Sequence, residues 1–148
     1  MKKFIQNKLK EQKGLTLIEL LAVIVILAII AAIAIPAIGN IIENSRYSAV
    51  KSDALNALSA ANIYFAENPE KTSVTISELA SGYLDNAGTL NTTLVATNVV
   101  TKTDGVVEIT HANIEYASSK NVAFDEASVA DINADTNKGS GDGGYTID

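Results

Sequence analysis

Residues 13–42 read KGLTLIELLAVIVILAIIAAIAIPAIGNII, and this stretch decides what the rest of the chain can be. From Leu20 to Ile42 there are 23 residues without a charge, more than the ~20 that carry a helix across a ~30 Å hydrocarbon core. A lone carboxylate, Glu19, stands at the head of this run. A carboxylate at the start of a membrane-length segment is costly and tends to be functional, so Glu19 needs a partner that the chain alone does not obviously supply. The reading is a single membrane span with an unmatched anion at its entrance.

Outward from the span, the charges are lopsided. Residues 1–14 hold five Lys against one Glu, a balance of +4, while the remainder holds six basic against sixteen acidic residues and carries −10. By the positive-inside rule the lysines stay cytoplasmic and residues 43–148 face the exterior. An acidic exterior argues against non-specific nucleic-acid binding, which relies on Lys and Arg neutralising phosphates. The chain has no cysteine, so neither a disulfide nor a thiolate metal site staples the exported part. With one His and no Cys, no nucleophile-and-base constellation presents itself, and the chain reads as a non-enzyme. His111, between strand candidates, reads as a structural or surface residue rather than a catalyst.

Residues 1–14 form a short basic leader whose glycine precedes the apolar region. A secretory signal has the opposite order, with its small-residue cleavage site after the apolar run. Cleavage after Gly14 removes the charges, keeps the apolar helix and makes Leu15 a new amino terminus four positions from Glu19. An uncleaved signal anchor with an incidental glycine is the alternative. Ala28 and Ala32, four apart, let a neighbouring helix approach closely. Pro36 removes a backbone hydrogen bond and Gly39 follows, so residues around 32–39 are an expected kink or melting point.

Residues 15–42 are therefore the membrane half of a helix, and residues 43–68 its amphipathic half. Tyr47, Val50, Ala54, Leu58, Ala61 and Phe65 recur at spacings of three and four, and Asn68-Pro69 should end the helix. From Leu15 this is roughly 50 residues, on the order of 75 Å at 1.5 Å per residue. Residues 69–132 read as a connecting region with a short helix at Ser77-Glu78-Leu79-Ala80, stopped at Ser81-Gly82, and then a sheet. The strand candidates are Thr92–Val100, Gly105–Thr110, Asn113–Ala117 and Val122–Phe124, with Thr103-Asp104-Gly105 as a hairpin turn. The fold class is α+β: a long N-terminal α-helix packed on a small antiparallel sheet of three or four strands. Residues 133–148, acidic and Gly-rich, read as a loop or partly disordered tail.

The Lys13-Gly14 junction, the run Leu15-Thr16-Leu17-Ile18-Glu19-Leu20-Leu21, and Pro36 at the twenty-second position after the cut together resemble a type IV prepilin. The likeness is close over residues 8–40 and architectural over residues 41–100. The resemblance implies a pilin-like fold, cleavage after Gly14 by a membrane prepilin peptidase, N-methylation of Leu15, and assembly into a helical filament with an assembly platform and its ATPase. It also implies a precursor in the cytoplasmic membrane and, after assembly, an extracellular filament. Two departures stand out: such mature chains most often begin with Phe and this one with Leu15, and the disulfide that many use to close a C-terminal loop is impossible here. That loop is held another way or is absent.

The physics of assembly follows from the residues. The new α-ammonium at Leu15 pairs with Glu19 of a neighbouring copy, which answers the desolvation cost and sets the axial register. Leu15, Thr16 and Glu19 are the expected assembly residues. Packing by a non-closing operation then generates a filament of identical copies. A second candidate site is Asp131, Asn133, Asp135 and Asp142, oxygen ligands at positions 1, 3, 5 and 12 of a calcium-type loop. Position 6 is Thr136 where the sharp turn wants Gly, and acidic Gly-rich tails are also simply soluble. The functional expectation is a type IV pilus subunit. Its alternatives are a pseudopilin of a type II secretion or competence machine, and a membrane-anchored or secreted binding module cut near Ala32-Ile33-Ala34.

Overall fold

The computed structural model describes residues 16–90 and 98–148, and residues 2–15 as helical backbone only. Helix α1 spans Lys2–Glu67 with Pro36 inside it, and it stops where expected: Asn68 still bonds back to the Tyr64 carbonyl at 2.9 Å, and Pro69 follows. Two compact units divide the chain, Met1–Gly39 and Asn40–Asp148, and the boundary falls within α1.

The first unit is helix alone. Its side chains from Leu20 onward are apolar on every face, the pattern of a helix that needs an apolar surrounding along its whole girth. The second unit, referred to below as the head, has its own core. Tyr47, Val50, Ala54, Leu58, Ala61 and Phe65, spaced by three and four, are all buried, as the amphipathic pattern predicts.

The head's sheet has five strands in the order β1-β2-β3-β4-β5: β1 (Ser73–Thr75), β2 (Val99–Thr103), β3 (Val106–Ala117), β4 (Lys120–Ser128) and β5 (Tyr145–Ile147). The first four are successively antiparallel, and β5 lies parallel to β4. The expected sheet of three or four strands thus gains two three-residue edges, too short to show alternation. The expected strands Gly105–Thr110 and Asn113–Ala117 are one strand, β3, and residues 92–97 of the expected Thr92–Val100 lie outside the described residues. The segment 133–148, read from sequence as a loop or tail, contains β5, and its Ile147 is buried.

Short helix α2 (Ile76–Ala80) starts one residue before the expected one. A capping box holds it: Thr75 accepts from the Glu78 amide, and the Glu78 carboxylate accepts from the Thr75 amide. Helix α3 (Val129–Ala134) is capped in the same way by Ser128 and Asp131. The expected Asp104-Gly105 turn joins β2 to β3, both residues at positive φ (52° and 90°), where Asn-Gly-type pairs match the strand twist. Bulges explain why simple alternation understated β3 and β4. In β3 the buried positions run Val107, Ile109, His111 and then Ile114, Tyr116, with a register shift between His111 and Ile114 that resets which parity faces the core. In β4 the residue Glu126, at φ 54°, performs the same switch, so that Val122, Phe124 and Ala127 all point inward.

Candidate functional site

The processing residues Gly14 and Leu15 lie outside the residues whose side chains are described. The first described assembly residue is Thr16, exposed on α1, and Glu19 is exposed one turn beyond it. The Glu19 carboxylate has no hydrogen bond or ion pair among the described residues. It heads a helix surface on which Leu17, Ile18, Leu20 and Leu21 are between 57% and 67% exposed, and Ile33 and Ile35 reach 70%. Most of the large apolar side chains left exposed among the described residues lie on this stretch. An isolated chain in water does not keep such an area open, because apolar patches beyond a few hundred Å² mark membrane or protein contacts.

Pro36 and Gly39 sit in this exposed stretch and the helix continues through both. A Cβ added at Gly39 meets nothing within 4 Å, so no close neighbour among the described residues requires a glycine there. What a glycine does supply at that position is a backbone that leaves the helix at lower cost, by roughly 0.5–1 kcal/mol relative to Ala.

Of the four calcium candidates, Asp131 and Asp135 line one hollow, and Asn133 and Asp142 lie outside it. Asp131 caps α3 by accepting from the Ser128 amide and hydroxyl, which holds its carboxyl below the usual carboxylate range. Asp135 faces α1 instead: Tyr47 donates its hydroxyl to Oδ2 at 2.7 Å, and Lys51 reaches Oδ2 and the Asp135 carbonyl at 3.0 Å each. Burial pushes the Asp135 carboxyl up, but the Tyr47 and Lys51 contacts outweigh it and leave the carboxyl below its ordinary value. Burial and the Asp135 acceptor raise the Tyr47 phenol well above its ordinary range. Asn133 and Asp142 are exposed. Among the described residues no three His, Asp or Glu side chains gather where a metal ion could sit.

The Asp135 contact belongs to a clasp that ties the C-terminal segment to α1 without a disulfide. Lys120 donates to Glu43 at 2.7 Å, the Ser140 amide donates to Asn44 Oδ1 at 2.9 Å, and Tyr116 donates to the Gly139 carbonyl at 3.3 Å. The Tyr47 ring stands edge-on to Tyr116 at 5.2 Å and to Tyr145 at 5.7 Å, near the favoured geometry for aromatic pairs. Gly139 passes so close to the helix that a Cβ there overlaps the Glu43 carbonyl and the Tyr47 Cβ. Sequence reasoning missed this clasp, because its contacts to α1 join residues 77 to 96 apart and of its members only Tyr47 stood out, as an apolar position. His111 is buried in β3, as its structural reading expects, with Nδ1 2.8 Å from the Ala112 carbonyl.

Comparison with known proteins bears on the N-terminal segment. Residues 9–35 match the family model described as the prokaryotic N-terminal methylation motif. No curated protein and no solved structure matches the chain. The matched segment covers Gly14, Leu15 and Glu19 and ends one residue before Pro36. The chain thus carries, at residues 9–35, the class III signal peptide that is the hallmark of the type IV prepilin and pseudopilin family.

Proposed function

We propose that the chain is a structural subunit of a type IV pilus. A prepilin peptidase cuts it after Gly14, the new Leu15 amino group is methylated, and copies polymerise through α1 into a surface filament with the help of an assembly platform and its ATPase. The observation that carries this reading is the conjunction of an all-round apolar helix surface with one carboxylate, Glu19, at its head. Lipid covers that surface in the precursor and leaves Glu19 unpaired, whereas a neighbouring copy covers the surface and brings an α-ammonium to Glu19. Pro36 and Gly39 give the helix a place to open when it leaves lipid for the filament. The chemistry is structural, and no residue is assigned a catalytic role.

A pseudopilin of a secretion or competence machine has the same N-terminal segment and is the competing reading. Shearing cells and determining the N-terminal residue and intact mass of the released protein separates the cases. Long filaments of a chain that starts at Leu15 support a pilus subunit. The same mature chain found only in the envelope makes it a pseudopilin. A released chain starting near Ile35 makes it a secreted module, and one retaining Met1 in the membrane makes it a simple anchor.

A further inference from the structure

Arg46, the chain's only arginine, shares a hollow of about 280 Å³ with Glu115, Tyr116, Ala117 and Ser118, at the end of β3 and the turn into β4. Arg46 and Glu115 are both exposed, yet they form no ion pair with each other, and neither side chain has a hydrogen bond or ion pair elsewhere among the described residues. The nearest acid in sequence on the Arg46 side, Glu43, is engaged by Lys120. A hollow that presents one cation and one anion, each without a partner, is complementary to a ligand that carries both charges. Its place along the helix narrows the ligand further. Ile41 and Ile42 are 64% and 47% exposed, and Arg46 follows Ile42 by four residues, about 6 Å along a helix axis. Where the apolar residues meet hydrocarbon, Arg46 stands at headgroup level.

We propose that this hollow seats the phosphoethanolamine headgroup of a membrane phospholipid. The Arg46 guanidinium holds the phosphate through its fork of donors, with the Ser118 hydroxyl beside it, and Glu115 accepts hydrogen bonds from the primary ammonium. A choline headgroup has no N–H to donate, and a glycerol headgroup has no cation, so the site discriminates among lipids of the same leaflet. The role is to fix the rotation of the head above the membrane before assembly. The proposal rests on the membrane-anchored state of the chain and not on polymerisation.

The test uses the full, unassembled chain in detergent micelles, titrated with short-chain phosphatidylethanolamine, phosphatidylcholine, phosphatidylglycerol and soluble phosphoethanolamine, and read by native mass spectrometry. Phosphatidylethanolamine is expected to bind about tenfold tighter than the other two lipids, the scale of one hydrogen bond to a charged group. Arg46→Gln lowers that binding by a similar factor, and Glu115→Gln removes the preference over phosphatidylcholine. Both side chains are exposed, so an unchanged melting temperature accompanies these losses. Equal retention of the three lipids, or indifference to Arg46→Gln, overturns the proposal. If soluble phosphoethanolamine binds as tightly as the lipid, the hollow serves a soluble ligand and the membrane source is wrong. Failure of the wild-type chain to float with phosphatidylethanolamine vesicles overturns membrane anchoring and the headgroup site with it, whereas flotation with equal lipid retention overturns the headgroup site alone.

Discussion

Helix α1 disposes of its apolar surface in two different ways. Over residues 17–42 the apolar side chains surround the helix; the large ones all stay at least 47% exposed, and of the small ones Ala31 and Ala34 are partly covered. Over residues 47–65 they form a stripe, and the head's own sheet covers it, leaving Val50, Ala54, Leu58 and Ala61 at 0% exposure. The physical difference is angular. A stripe about 100° wide is covered by one sheet, but a full girth demands lipid or several neighbouring helices. The same helix therefore carries one surface the chain can satisfy by itself and one it must satisfy with something else.

Glu19→Ala makes the sharpest break in that comparison. It removes the partner expected for a neighbour's α-ammonium, at about 3–5 kcal/mol per contact, which is enough to abolish a polymer. Electron microscopy should show no filaments, while immunoblots of the membrane fraction show normal amounts of protein. Normal filaments from Glu19→Ala cells would mean that the carboxylate does not set the register.

Truncation in each half of α1 is the next test. Leu58→Ala empties a site in the head's core and should lower stability by about 2–5 kcal/mol, seen as a lower melting temperature of the full chain in detergent. Ile29→Ala, in the exposed half, should leave that melting temperature unchanged. Equal effects would show that the two surfaces are not independent.

Smaller effects come from the clasp. Asp135→Ala leaves the Tyr47 hydroxyl without its acceptor and the Lys51 ammonium with only the backbone carbonyl, and should cost about 1–3 kcal/mol by the same melting measurement. The pH dependence has a definite sign. Asp135 and Asp131 are held below their ordinary values in the fold, so their stabilisation is present above the unfolded value of about 3.9 and is lost as pH falls through the folded values. An acid titration should show the head weakening below that point, and Asp135→Asn should flatten the slope. A slope that survives in Asp135→Asn assigns the acid sensitivity to other carboxylates.

Much of this architecture was legible in the residues because it depends on neighbours close in sequence. The charge-free run, the glycine before it, the three-and-four spacing from Tyr47 to Phe65, the stop at Asn68-Pro69 and the Asp104-Gly105 turn are each read within a window of a few residues, and the structure agrees for the helix end, the buried stripe and the turn. The calcium-like spacing is a different case. Ligand spacing is a local pattern, but Asp131 and Asp135 face competing demands, one from the cap of α3 and one from Tyr47 and Lys51 some 84 to 88 residues away. Spacing alone cannot weigh those rivals.

The sequence by itself determined the long helix, its division into an all-round apolar half and a striped half, the isolated carboxylate at Glu19 and the N-terminal methylation motif at residues 9–35, since each is a matter of composition and short period. Only the tertiary structure decided the two short edge strands, the bulges at His111–Ile114 and Glu126, and the Tyr47, Lys51 and Lys120 clasp on the C-terminal segment. Three-residue strands have no period to read, and a bulge inverts the one that exists. A contact across 77 or more residues becomes favourable only once the intervening chain has closed the loop, so no local pattern announces it.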